Sequence, residues 1–196
     1  MTTSDPSAAG RACRRPLLIW YVTALTVSLL APPVASLSAQ ADHQMSEPAM
    51  KAAYLLNFAR YTEWPASEVA ADAPLLICTT DADVAADLEA AVAGNKIGAR
   101  PVVARLVKIE DPPAPCAILY VDRMDQRKAA QLLRAIGTAP VLTVSDTDGF
   151  SSWGGIIELF LTRTSRMYFV INRTAADQSR LRLSSRLLVL GRTDRN

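Results

Sequence analysis

The chain has 196 residues, half of them apolar, and carries 21 basic against 19 acidic side chains. That length and composition predict one domain with a sizeable core. The single histidine, His43, lies near the start of the chain, which leaves Ser-His-Asp catalysis, Cys-His catalysis and ordinary zinc sites without a positioned imidazole.

Residues 1–41 read as an export signal, with Arg11, Arg14 and Arg15 ahead of an apolar stretch over residues 17–30 and the small-residue site Ala39-Gln40-Ala41 behind it. The apolar stretch falls short of the roughly 20 residues that a membrane span needs, so cleavage after Ala41 is expected, leaving 42–196 as a single domain. Arg14-Arg15 leave twin-arginine export open beside the general route. Cys13 precedes the apolar stretch, which argues against lipoprotein acylation. Residues 42–196 hold 18 basic and 18 acidic side chains, so the basic footprint of a nucleic-acid binder is missing. The charge is polarised, however. Residues 163–196 contain eight arginines against Asp177 and Asp194, which fits either an acidic partner or membrane surface, or a solvated face without a role.

Ser46 is placed to cap a first helix that tolerates Pro48 and stops by Pro65. Helical spacing puts Met50, Ala53, Tyr54, Asn57, Tyr61 and Trp64 on one face. Asn57 would then be a buried amide that must find a backbone partner, and Tyr54, Phe58, Tyr61 and Trp64 belong to the core. A strand over 75–79, a helix over 81–93 with Asp81 or Thr80 as its cap and Gly94 at its end, and a strand over 102–107 follow. The run Asp111-Pro112-Pro113-Ala114-Pro115 breaks any ladder and leads to a strand over 117–121. A helix then starts at Asp125 and ends at Gly137. Alternation of this kind predicts βαβ units around a mostly parallel sheet.

From residue 140 the chain reads as a short strand, a polar loop over 146–152, Gly154-Gly155, and two strand-like runs over 156–161 and 167–171 that form a hairpin. A terminal amphipathic run covers 184–190. The expected fold is a three-layer α/β domain with a mostly parallel sheet, extended by the C-terminal hairpin and flanked by helices.

Signatures of cofactor chemistry are missing. No G-x-G-x-x-G or G-x-x-x-x-G-K-[ST] occurs, and Asp81 and Asp83 follow the first strand where a phosphate would sit. No catalytic, cofactor-binding or metal-binding residue is assigned. The pairs Asp81/Asp83 and Asp146/Asp148 sit at element ends, where acidic residues cap turns; Asp146-Thr147-Asp148-Gly149 lacks the remaining ligands of a calcium loop. A crevice at the carboxyl ends of the strands, lined by Thr79, Thr80, Asp122 and Ser145, leaves room for a small neutral or cationic ligand. Cys78 and Cys116 remain beyond the signal. An even number in an oxidising compartment suggests a disulfide, while two buried thiols are the alternative.

The order Phe150, Gly154-Gly155, hairpin, Asn172 and Leu183-Ser184-Ser185-Arg186-Leu187-Leu188, preceded by Lys51-Ala52-Ala53-Tyr54-Leu55-Leu56-Asn57-Phe58-Ala59-Arg60-Tyr61-Thr62-Glu63-Trp64-Pro65, resembles the YfiR-like family of periplasmic regulatory proteins. The resemblance covers nearly everything after residue 47. It implies a non-enzymatic negative regulator that binds the periplasmic domain of an inner-membrane diguanylate cyclase, or a related membrane sensor, lowering cyclic di-GMP and restraining biofilm formation. An outer-membrane lipoprotein and a second copy of the chain are further partners consistent with it. The alternative is a periplasmic small-molecule-sensing module acting on another membrane sensor. YfiR-like proteins can carry an additional cysteine pair near residues 150–158; none stands here, so redox control through that pair does not carry over. The candidate partner surface is residues 172–186, with Leu181 and Leu183 as apolar anchors and Arg173, Arg180, Arg182 and Arg186 as charge; the competing reading turns Leu181 and Leu183 toward the core as an edge strand.

Overall fold

Short apolar strands alternate with helices through the middle of the chain, and a mostly parallel sheet is the result. The computed structural model describes residues 45–66, 73–110 and 115–193; the expected export signal and its cleavage site lie outside them. In chain order the elements are α1 (Glu47–Arg60), β1 (Thr62–Glu63), β2 (Leu75–Thr79), α2 (Ala82–Val92), β3 (Lys96–Ile97), β4 (Arg100–Leu106), β5 (Ile118–Val121), α3 (Gln126–Ile136), β6 (Leu142–Ser145), β7 (Ile157–Leu161), β8 (Met167–Ile171), α4 (Arg173–Gln178), β9 (Arg182–Leu183), α5 (Ser185–Leu190) and β10 (Arg192–Thr193).

The main sheet runs β10-β8-β7-β6-β5-β2-β4-β3. Strands β4, β2, β5, β6 and β7 are mutually parallel, while the hairpin turns β8 antiparallel to β7. Side-chain alternation along the central strands divides the interior into two layers. Ile77, Ile118, Tyr120, Leu142 and Val144 pack with the buried faces of α1 and α2. Cys78, Leu119 and Val121 point the other way, onto Ala129 and Ile136 of α3 and onto Phe150. The α/β fold with helices on both faces of a mostly parallel sheet is therefore as expected. A second, two-stranded sheet joins β1 to β9, with Thr62 opposite Leu183 and Glu63 opposite Arg182.

The helix ends follow local chemistry. Ser46, Asp81 and Asp125 each accept a hydrogen bond from a backbone N–H in the first turn of their helix. Gly137 closes α3 with a positive φ, a conformation that glycine adopts without a Cβ penalty.

The first helix departs from its expected face. Its buried side chains are Lys51, Ala52, Leu55, Leu56, Phe58 and Ala59; Met50, Ala53 and Tyr54 are half-buried, and Asn57 is exposed. Asn57 thus needs no partner from a neighbouring loop. The helix also ends at Arg60, because Thr62 and Glu63 extend to pair with β9. Tyr61 and Trp64 consequently lie beyond the helix. The aromatic residues still pack inward: Phe58 meets Phe169 at a ring separation of 5.0 Å, Tyr54 donates to the Met167 carbonyl at 2.8 Å, and Trp64 Nε1 donates to the Ala117 carbonyl at 3.1 Å.

Candidate functional site

The sheet reverses its winding at β2, which has β4 on one side and β5 on the other, and α/β folds bind ligands at such a point beyond the carboxyl ends of the strands. Here the polar groups are engaged internally. Thr80 N donates to the Tyr120 carbonyl at 3.2 Å, and Thr80 Oγ1 accepts from Asp122 N at 3.1 Å. Thr79 Oγ1 accepts from Asp81 N at 3.0 Å. The Asp81 carboxylate occupies the N-terminus of α2 by accepting from Asp83 N and Val84 N. Ser145 Oγ donates to Thr147 Oγ1 at 2.9 Å. The four residues expected to line a crevice thus lie together, but Thr79, Thr80 and Ser145 spend their side-chain oxygens on holding the strand ends.

A charged cluster lies farther along the same edge. Lys51 projects from the core face of α1, and its Nζ meets Glu47 Oε1 and Asp146 Oδ2 at 2.9 Å each. Arg123 Nε approaches the same Asp146 oxygen at 3.4 Å. The Lys51 and Asp146 side chains are 7% and 8% exposed, so the pair is a buried one, and a buried charge persists only when paired and hydrogen-bonded. Burial pulls the Lys51 pKa down, but Glu47 and Asp146 together outweigh it and hold the ammonium above its ordinary value. Tyr120 lies beside it, with Lys51 Nζ 5.6 Å from the ring centroid. Burial first, and the nearby Asp146 charge second, push the Tyr120 phenol up. Among the described residues, Tyr120 Oη and Asp146 Oδ1 are buried without a hydrogen-bond partner. Sequence reasoning missed Lys51 as a site residue, because its partner is remote in sequence.

The glycine-rich loop after β6 is braced by a buried carboxylate. Glu158, on β7, accepts from Gly149 N at 2.8 Å and from Ser151 N and Oγ at 2.9 and 2.7 Å. Phe150 is fully buried against Gly155, where a Cβ would collide with its ring. Asn172 caps α4 through Ala175 N and donates from Nδ2 to the Ser151 carbonyl at 2.8 Å. Phe150, Gly155, Glu158 and Asn172 thus act together as a scaffold that fixes the loop to the hairpin.

The candidate partner segment splits into surface and core. Arg173, Arg180, Arg182 and Arg186 are exposed. Leu181 is only 3% exposed and packs in the core with Leu187, while half-buried Leu183 packs against it. Leu181 therefore cannot serve as a surface anchor, and the core-facing reading of this pair describes its placement. The reason is local: Arg180 adopts a left-handed φ of 57°, Leu181 N bonds back to the Ala176 carbonyl at 3.0 Å, and β9 then pairs with β1. Beside the arginines runs a groove of about 550 Å³ lined by Glu63, Trp64, Asp177, Arg180 and Arg182 among others.

Cys78 and Cys116 form a disulfide with a Cα separation of 5.8 Å. It is packed on the α3 side of the sheet, beside Leu119 and Val121.

The family described as YfiR/HmsC-like matches residues 48–192. The chain belongs to the YfiR/HmsC-like family. No curated protein matches it. YfiR/HmsC-like proteins are periplasmic and regulatory rather than catalytic, and the family points to control of cyclic di-GMP signalling through a membrane sensor. Among the described residues, no helix is long and apolar enough to cross a membrane. The YfiR/HmsC-like match takes in Lys51, Arg123 and Asp146, though not Glu47, and the scaffold around Glu158.

Proposed function

We propose that the protein is exported, loses residues 1–41 by cleavage after Ala41, and acts in the periplasm as a negative regulator that docks on the periplasmic domain of an inner-membrane diguanylate cyclase. The family assignment supports the regulatory role. The observation that carries the docking surface is the set of exposed arginines, Arg173, Arg180, Arg182 and Arg186, concentrated on the segment from α4 to α5. Guanidinium groups make several directed bonds while their stems pack, and such a surface suits an acidic face on the partner. Leu181 supports it from within the core.

Replacing Arg180 and Arg182 together with glutamate tests this reading. Exposed charge changes alter stability by under about 0.5 kcal/mol, so the variant should fold normally, lose binding to the cyclase domain and leave cyclic di-GMP elevated in cells. Full repression by the double variant at normal abundance would discard the surface, and unchanged cyclic di-GMP after deletion of the gene would discard the function. Intact mass of the periplasmic form checks the cleavage.

A second reading, a periplasmic small-molecule-sensing module, is favoured by the groove beside Trp64 and Arg180, whose volume lies in the range of ligand sites. Thermal-shift screening separates the two, since a ligand bound only by the folded state raises Tm.

A further inference from the structure

The last helix turns apolar side chains toward solvent. In α5, Leu187 is buried and Leu188 packs against the core, whereas Ser185, Arg186, Val189 and Leu190 are exposed. Val189 and Leu190, at 84% and 70% exposure, are the two most exposed large apolar side chains among the described residues. We propose that this face of α5 seats the protein on the surface of an anionic lipid bilayer.

Arg186 stands three and four positions before Val189 and Leu190, so all three share one helix face. A helix that packs one face on a core ordinarily carries polar groups on the other, yet α5 carries apolar groups on both. One exposed leucine is unremarkable. Two adjacent apolar side chains beside a guanidinium are the pattern of a helix lying in a membrane interface, with carbon in the acyl boundary and cations at the headgroups. The face is also held outward. Gly191 N donates to the Leu187 carbonyl at 3.0 Å, and the Gly191 backbone lies so close to Phe169 and Ile171 that a Cβ would collide with both. With Leu187 and Gly191 fixed in this way, α5 cannot roll to bury Val189 and Leu190.

Charge selects the surface. From Arg173 to Gly191 the chain has four arginines, all exposed, against one acidic residue, Asp177; Glu63 lies across from Arg182 in the small sheet. That surplus suits anionic headgroups, and its attraction is screened by salt. A bilayer is favoured over an acidic protein face because side chains standing this clear of their neighbours need no matching hollow in a fluid acyl layer. Two apolar side chains make a weak, reversible contact, which concentrates the protein where an inner-membrane partner displays its periplasmic domain. The inference goes beyond the docking reading and does not rest on it.

Co-sedimentation of the purified protein with vesicles tests the proposal. Vesicles of equal parts phosphatidylglycerol and phosphatidylcholine should bind it, and pure phosphatidylcholine should bind at least tenfold more weakly. Val189→Ser with Leu190→Ser should lower affinity for the anionic vesicles at least tenfold, and Arg186→Gln about fivefold, the order of one cation close to an anionic surface. Should the double variant misfold by circular dichroism, Val189→Trp supplies a second readout. Its fluorescence, corrected for the parent's, should shift to the blue when anionic vesicles are added. No co-sedimentation, unchanged affinity in the double serine variant, or a tryptophan at 189 that stays in water would each overturn the proposal. A double serine variant that keeps vesicle binding and loses the cyclase domain would give this face to a protein instead. The vesicles contain no protein, so failure here leaves docking on the cyclase untouched.

Discussion

Lys51 Nζ and Asp146 Oδ2 meet at 2.9 Å across 95 residues of chain, joining the first helix to the loop that follows β6. The link is a buried ion pair, and removing one partner of such a pair strands the other as an uncompensated charge. Lys51→Met should destabilise the protein by about 3 kcal/mol, read as a lowered midpoint in urea with an unchanged slope. Adding Asp146→Leu to that variant should recover part of the loss. A single variant within about 0.5 kcal/mol of the parent, the usual range of a surface substitution, would contradict this account of the pair.

The same cluster sets a direction for alkaline stability. Lys51 is held above its ordinary value of 10.5 and Tyr120 above its ordinary 10.0. Below those values both the folded and the unfolded chain keep the protons, so these groups add no pH dependence at neutral pH. Above them the unfolded chain releases protons that the folded chain retains, and stability falls as pH rises. Urea midpoints should therefore decline above about pH 10, the ordinary range of these two groups. In Lys51→Met with Tyr120→Phe the decline over that window should be shallower; an identical pH profile would assign it to other groups.

Reduction of the Cys78–Cys116 bridge opens a closed segment with a sequence separation of 38. In the chain-entropy treatment that costs roughly 3 to 4 kcal/mol. The Cys78→Ala, Cys116→Ala double variant should lose stability in that range, and thiol titration of unreduced, unfolded protein should find neither cysteine free. Two titratable thiols per chain would refute the bridge.

Much of this architecture is legible from short-range chemistry. Asp81 and Asp125 mark the starts of α2 and α3, Gly137 marks the end of α3, and the apolar runs at 75–79 and 167–171 become strands with those bounds. What escapes the sequence depends on distant partners. Lys51 interrupts the Ala52, Leu55, Leu56, Ala59 stripe, so the core face of α1 is disguised until Asp146 is seen to neutralise it. Helical spacing drawn through Met50, Tyr54, Tyr61 and Trp64 instead puts Asn57 inside, contrary to its exposed place. Thr62 and Glu63 likewise leave the helix only because Arg182 and Leu183 offer them a strand to pair with. The segment after β8 reads merely as polar, yet Asn172 caps a six-residue helix there and ties it to the Ser151 carbonyl. Of the candidate surface, the exposure of the arginines follows from their type, whereas the inward turn of Leu181 rests on the left-handed Arg180 and cannot be read from spacing.

Phe150 and Gly155 supply the last prediction. The Phe150 ring is wholly buried against the residue 155 backbone, and a Cβ there would overlap Cδ1 and Cε1 of the ring. The need for glycine is one of space, since Gly155 is absent from the glycines with positive φ, unlike its neighbour Gly154 at +104°. Gly155→Ala must therefore displace the ring or the backbone in a packed site that also contains the Glu158 bonds to Gly149 and Ser151. Overpacking of this kind costs about 1 to 3 kcal/mol, and the upper end is expected because Gly155 N also donates to the Phe150 carbonyl at 2.9 Å and ties the two backbones together. Phe150→Leu trims the ring at the cost of a cavity. Combined with Gly155→Ala it should therefore be less destabilising than the sum of the two single changes, the coupling expected of residues in contact. Equal additivity in a double-mutant cycle, measured by urea denaturation, would show that the glycine serves backbone conformation instead of ring packing.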